Sequence, residues 1–176
     1  ERAYLQWRAD KKNAPDDGFW GHRPHCYREM PVGAELARAA AARSDVALVL
    51  IGRAAGEDDD SFNAPGGYLP TAEEVQMLCA VTAAFAKTVV LFDCGGVQDL
   101  SFLQPFGEKI AAVAFTFFGG MEAGGALFDV LTGEVSPCGK LADTVAAAYT
   151  DCPSAQHFGG KAYSEYAEDI FVGYRY

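Results

Sequence analysis

The chain has 176 residues, half of them hydrophobic, with 24 acidic against 14 basic side chains and a formal net charge of −10. That length suits one ordinary domain with a sizeable core, and the composition excludes a disordered chain. The acidic excess argues against nucleic acid or an anionic membrane as partner, and the absence of any apolar run of about 18 residues argues against a membrane-spanning helix.

Residues 1–32 read as a polar, irregular segment in which Trp7, Phe19, Trp20 and Tyr27 are interleaved with prolines and glycines. Such a segment is expected to pack along a body, its own or a neighbouring one. From Gly33 the pattern becomes regular: Ala34 to Arg43 is Ala-rich and helical by propensity. Ser44-Asp45 breaks that helix, and the continuous apolar run Val46–Gly52 predicts a buried strand. An acidic loop, Gly56-Glu57-Asp58-Asp59-Asp60, follows, and then a turn-rich segment, Asn63 to Tyr68. Thr71-Ala72-Glu73-Glu74 is a capping box opening a helix to about Ala86, with Val75, Leu78, Val81, Thr82 and Phe85 on one face. Thr88–Asp93 predicts a second strand ending in the tight turn Cys94-Gly95-Gly96. A short helix over Leu100 to Phe106, a third strand over Ile110 to Phe118, a helix from about Glu122 to Leu131 and a last short strand over Asp143 to Ala147 complete the order. Alternating helices and apolar strands predict an α/β fold with a largely parallel sheet covered on both faces.

Five cysteines, an odd number without C-x-x-C spacing, argue against a disulfide framework and for a reducing, cytoplasmic setting. Cys79 and Cys94 lie in apolar stretches and are expected to be buried. His22, His25 and Cys26 are close in sequence, but no second cluster completes a tetrahedral zinc set, so no metal is expected. No cofactor is expected either. Gly95-Gly96 and Gly119-Gly120 each follow a strand, yet neither fits a dinucleotide or P-loop fingerprint. A flavodoxin-like nucleotide- or phosphate-binding module therefore stands as a minor alternative.

The acidic loop is the main candidate for chemistry. Ligands of open α/β sheets bind beyond the carboxyl ends of the strands. A carboxyl crowded there by like charges has its pKa raised, which suits a general acid; a solvated acidic loop is the competing reading. Asp93, at the end of the second strand, is placed either to bind sugar hydroxyls or to cap the turn.

Several segments in order resemble the C-terminal domain of glycoside hydrolase family 3. They are Gly119-Gly120-Met121-Glu122-Ala123-Gly124-Gly125, Asp129-Val130-Leu131-Thr132-Gly133, Pro137-Cys138-Gly139-Lys140-Leu141, Asp143-Thr144-Val145-Ala146 and the ending Glu168 to Tyr176. The resemblance covers roughly residues 33 to 176. It implies a three-layer α/β/α sandwich, mostly parallel and about six-stranded, within a retaining β-glycosidase of the β-glucosidase kind. In that arrangement an N-terminal (β/α)8 barrel, absent from this chain, supplies an aspartate nucleophile. The acid/base is the glutamate of a G-E-G-x-D-R-like segment, which Gly56, Glu57 and Asp60 match; Asp58 replaces its second glycine and Ser61 its arginine. The resemblance thus implies Glu57 as the catalytic acid/base and Asp58, Asp60 and Asp93 as substrate contacts. The expected partners are a β-glucoside or oligosaccharide and the barrel of the same protein, with a homodimer compatible. The chain lacks an initiating Met and reads as a piece of a longer protein, inactive by itself. The alternative within the same fold is a non-catalytic domain that contacts sugar or mediates dimerisation.

Overall fold

The computed structural model describes residues 2–13, 24–54, 60–160 and 162–175. Among them, three strands form one parallel sheet in the order β1 (Val46–Gly52), β2 (Lys87–Asp93) and β3 (Ile110–Phe115). The register pairs Val49 with Val90 and Ile51 with Phe92 across β1 and β2, and Phe92 with Phe115 across β2 and β3. The helices are α1 (Arg2–Arg8), α2 (Ala34–Ala41), α3 (Ala72–Ala84) and α4 (Ala123–Thr132), of which α3 packs on the sheet and α2 on α3, with a 3-10 segment over Ser101–Lys109 between β2 and β3.

The core lies between the sheet and α3. Ala47, Val49 and Ile51 of β1 and Val90 and Phe92 of β2 meet Leu78, Val81 and Phe85, with Cys94 and Leu103 closing the cluster. Strand side chains alternate between faces, so burying one row of β1 leaves Val46, Leu48 and Leu50 on the other face, each more than two-fifths exposed. The apolar stripe of α3 accounts for its seat, because residues three and four apart share a helix face. Thr71 accepts a hydrogen bond from the Glu74 amide (3.2 Å) while the Glu74 carboxylate accepts one from the Thr71 amide (2.7 Å), the capping box expected from the sequence.

Four expectations change. Asp143 to Ala147 is not a strand; it has no ladder partner among the described residues, and the sheet there has three strands rather than about six. β3 stops at Phe115, because Phe117 takes a left-handed backbone (φ 52) that no strand continues. Cys79 is exposed, whereas Cys94 is buried as expected. Its i−3 and i+4 neighbours, Gln76 and Ala83, are exposed too, so Cys79 belongs to the outer face of α3. The first residues are not wholly irregular, since Arg2–Arg8 is helical and Asn13 bonds back to the Trp7 carbonyl at 3.0 Å. No helix among the described residues is long and apolar enough to cross a membrane.

Candidate active site at the carboxyl edge of the sheet

The three strands end side by side. Beyond β1 the Arg53 amide donates to the Asp93 carbonyl at 3.0 Å, and beyond β3 the Thr116 amide donates to the Phe92 carbonyl at 2.9 Å. The Thr116 hydroxyl donates to Asp93 Oδ1 at 3.1 Å, so this half-buried carboxylate is fixed at the end of β2. The next turn depends on glycine: a Cβ on Gly95 would sit 2.7 Å from the Phe118 ring. Phe117 and Phe118 are both exposed at this edge, and the left-handed Phe117 backbone costs about 1–3 kcal/mol.

Arg53, the residue after β1, organises the neighbouring loop. Its guanidinium is buried (7 % exposed) against the fully buried Glu74. The pair is bidentate, Nη1 to Oε1 at 2.6 Å and Nη2 to Oε2 at 2.9 Å. The remaining donors reach the carbonyls of Gly52 (Nη1, 2.9 Å), Gly67 (Nε, 3.0 Å) and Leu69 (Nη2, 3.3 Å). Burial acts to lower the Arg53 pKa, but the hydrogen bonds and charge of Glu74 outweigh it and raise it. Gly67 is required where the loop returns, because a Cβ there would collide with the Phe62 carbonyl. On the other side, the Ala54 amide donates to the His25 carbonyl at 2.7 Å and ties segment 24–31 to the same place.

Of the expected site residues, Asp93 stands at this edge and Asp60 is exposed where the chain returns towards Pro65. Glu57 and Asp58 lie outside the described residues, as does Trp20 of the aromatic segment. Arg53 was not singled out from the sequence. Its signal was a cation directly after a buried strand, followed by a capping glutamate whose helix stripe would bury it.

Two nearby thiols are held protonated. Burial pushes Cys94 up to about 11 against a partial pull from Arg53, and burial likewise raises Cys26. Neither suits a nucleophile. Among the described residues, no three His, Cys, Asp or Glu side chains group as metal ligands. Glu29 is raised too, by burial and then by the charge of Glu74. A carboxyl raised in the fold contributes stability below its ordinary range and loses it as pH rises through the folded value. Thermal melts of Glu29→Gln should therefore show a gain over the parent at about pH 7 that fades towards about pH 4. An equal shift at both pH values would contradict this.

Comparisons with known proteins give the family and the fold. A model described as the glycosyl hydrolase family 3 C-terminal domain matches residues 9–174. A β-glucosidase of Ruminococcus albus is 43 % identical over 175 residues, 99 % of this chain and 18 % of that protein. β-Glucosidase A of Butyrivibrio fibrisolvens is 32 % identical over 180 residues, covering 89 % of this chain and 21 % of its own length. Among solved structures, a β-glucosidase from Paenibacillus barengoltzii superposes with a TM-score of 0.93 at 41 % identity, over 99 % of this chain and 19 % of that one. β-Glucosidase 3B from Thermotoga neapolitana, in complex with glucose, gives 0.82 at 26 % identity, over 99 % and 25 %. The chain thus spans about a fifth of the length of the curated relatives it matches.

Proposed function

Because this chain belongs to glycosyl hydrolase family 3 as a C-terminal domain, we propose that it supplies the general acid/base of a retaining β-glucosidase whose nucleophile resides on another domain. What supports this reading is the family match over residues 9–174 together with the order of the sequence, in which the acidic run follows β1, a strand whose carboxyl end adjoins that of β2 where Asp93 stands. Relatives named β-glucosidase cover nearly the whole chain.

Retaining glycosidases set two carboxyl groups about 5–5.5 Å apart across the scissile bond. Glu57, protonated, gives its proton to the glycosidic oxygen as an aspartate of the barrel attacks the anomeric carbon. The aglycone leaves with that proton, and a covalent glycosyl-enzyme remains. Glu57, now ionised, takes a proton from water, whose oxygen displaces the aspartate. The neighbouring Asp58, Asp59 and Asp60 favour the protonated form that the first step needs. Asp58, Asp60 and Asp93 are assigned to contacts with the sugar. The substrate is a terminal β-glucoside, bound between this edge and the barrel. The five cysteines are all free, which supports a reducing, cytoplasmic setting.

Hydrolysis of an aryl β-glucoside by this chain and by the longer protein containing it tests the reading. The longer protein should turn over and the chain alone should not. Activity of the chain alone would require a nucleophile within it and would overturn the division of labour. Inactivity of both would overturn the β-glucoside assignment.

A further inference from the structure

We propose that the loop from Phe117 to Met121, just past β3, is the apolar anchor by which this domain seats on the domain of the same protein that carries the nucleophile. The inference rests on the division of labour given above.

Three large apolar side chains stand exposed within five residues: Phe117, Phe118 and Met121, the last 100 % exposed. A single exposed apolar residue is ordinary, but aromatic rings grouped with methionine are the residues enriched in interface cores. The loop is also built to hold one shape. At its start the Thr116 amide and hydroxyl donate to the Phe92 carbonyl and the Asp93 carboxylate. Phe117 then takes its left-handed backbone, a strain that persists only where the surroundings enforce it and that gathers at sites of binding. Its ring lies 5.9 Å from that of Phe115, which stacks at 5.1 Å on the buried Phe92, so a file of rings ties it to the core. Phe118 is seated over Gly95. Gly119 passes so close to Ala123 that a Cβ would lie 2.7 Å from the Ala123 side chain, and the Ala123 amide donates to the Gly120 carbonyl at 3.3 Å. Met121 is thus presented at the tip of a turn fixed from both ends, and such preorganisation lowers the cost of association.

Position and length point to the occupant. β3 ends beside β2 at the edge where Asp93 stands, so a body that completes a site there meets this loop. In the curated relatives, about four fifths of the polypeptide lies outside the part this chain matches. Covalent linkage gives that body a high local concentration, so a small anchor suffices. A purely apolar tip also suits a pocket between protein side chains better than a sugar, whose hydroxyls need polar partners.

Oxidation of Met121 by dilute hydrogen peroxide, read by peptide mass spectrometry, tests this on the unaltered full-length protein. Met121 should oxidise about tenfold more slowly in the native than in the urea-unfolded protein, at every protein concentration and with no sugar present. Oxidation at the unfolded rate overturns the anchor. Protection that vanishes on dilution assigns the loop to a second copy, and protection that needs added glucose assigns it to the sugar site; either result overturns the proposal. On a free surface Met121→Asp would be nearly neutral. In the full-length enzyme it should instead lower kcat about tenfold on a dinitrophenyl and on an alkyl β-glucoside alike, because the two halves of the site no longer meet squarely. An unchanged kcat, or a loss confined to the alkyl glucoside, overturns the anchor. Should Met121 be protected while Glu57→Ala shows no selectivity between the two glucosides, the acid/base reading falls and the anchor stands.

Discussion

Glu74→Ala is expected to cost the domain about 3–5 kcal/mol, the penalty for leaving a buried charge without its partner. Arg53 is 7 % exposed and Glu74 is fully buried, so water does not replace the lost carboxylate. Two further losses point the same way: the Thr71 amide loses its acceptor, and the first turn of α3 loses its acidic cap. Small domains are stable by only about 5–15 kcal/mol, so one such change removes a large share of the margin. Denaturant unfolding of the parent and the variant measures it. A cost below about 1 kcal/mol would be that of a solvated surface pair and would contradict the burial described here. The comparison that isolates the charge is the apolar double variant Arg53→Met/Glu74→Leu, which removes both partners and should lie much closer to the parent in stability.

Glu57→Ala in the full-length enzyme should lower kcat by about 10²–10⁴-fold on alkyl glucosides, the usual contribution of a positioned general acid. The loss should shrink towards unity in the first step as the leaving group becomes more acidic, since such an aglycone departs as an anion. Activated substrates should then accumulate the glycosyl-enzyme, because the same residue is needed to deprotonate water in the second step. A burst of aryl alcohol followed by slow turnover is the kinetic sign to look for. Uniform loss across leaving groups would remove Glu57 from proton transfer. Unchanged turnover would favour the non-catalytic domain instead.

The sequence was most readable where one physical signal acts alone. Val46–Gly52 is a strand with the expected limits because a continuous apolar run bounded by polar residues leaves little choice. The Thr71–Glu74 capping box was equally readable, being a local pattern with a local cause. Legibility ended where partners are remote. Asp143 to Ala147 has strand-like residues, but a strand exists only with a neighbour to pair, and none is found among the described residues. Cys79 was expected inside on composition, whereas helical spacing places it beside Gln76 and Ala83. Asp93 was placed correctly at a strand end, yet its partner Thr116 belongs to the chain beyond β3. Most tellingly, Glu74 was read as a cap and Arg53 was passed over, although the two form the most deeply buried ionic contact described. Nothing in a one-dimensional pattern announces a bond between residues on different elements. Glu57 and Asp58, the residues the sequence weighted most, lie outside the described residues.

The mutual burial of Arg53 and Glu74 also bears on how this lineage can change. Any route from that pair to an apolar one passes through a single-substitution intermediate that carries a lone charge in the interior. Selection sees that intermediate first, and removes it before the second substitution arrives. The two positions are therefore expected to change together or not at all.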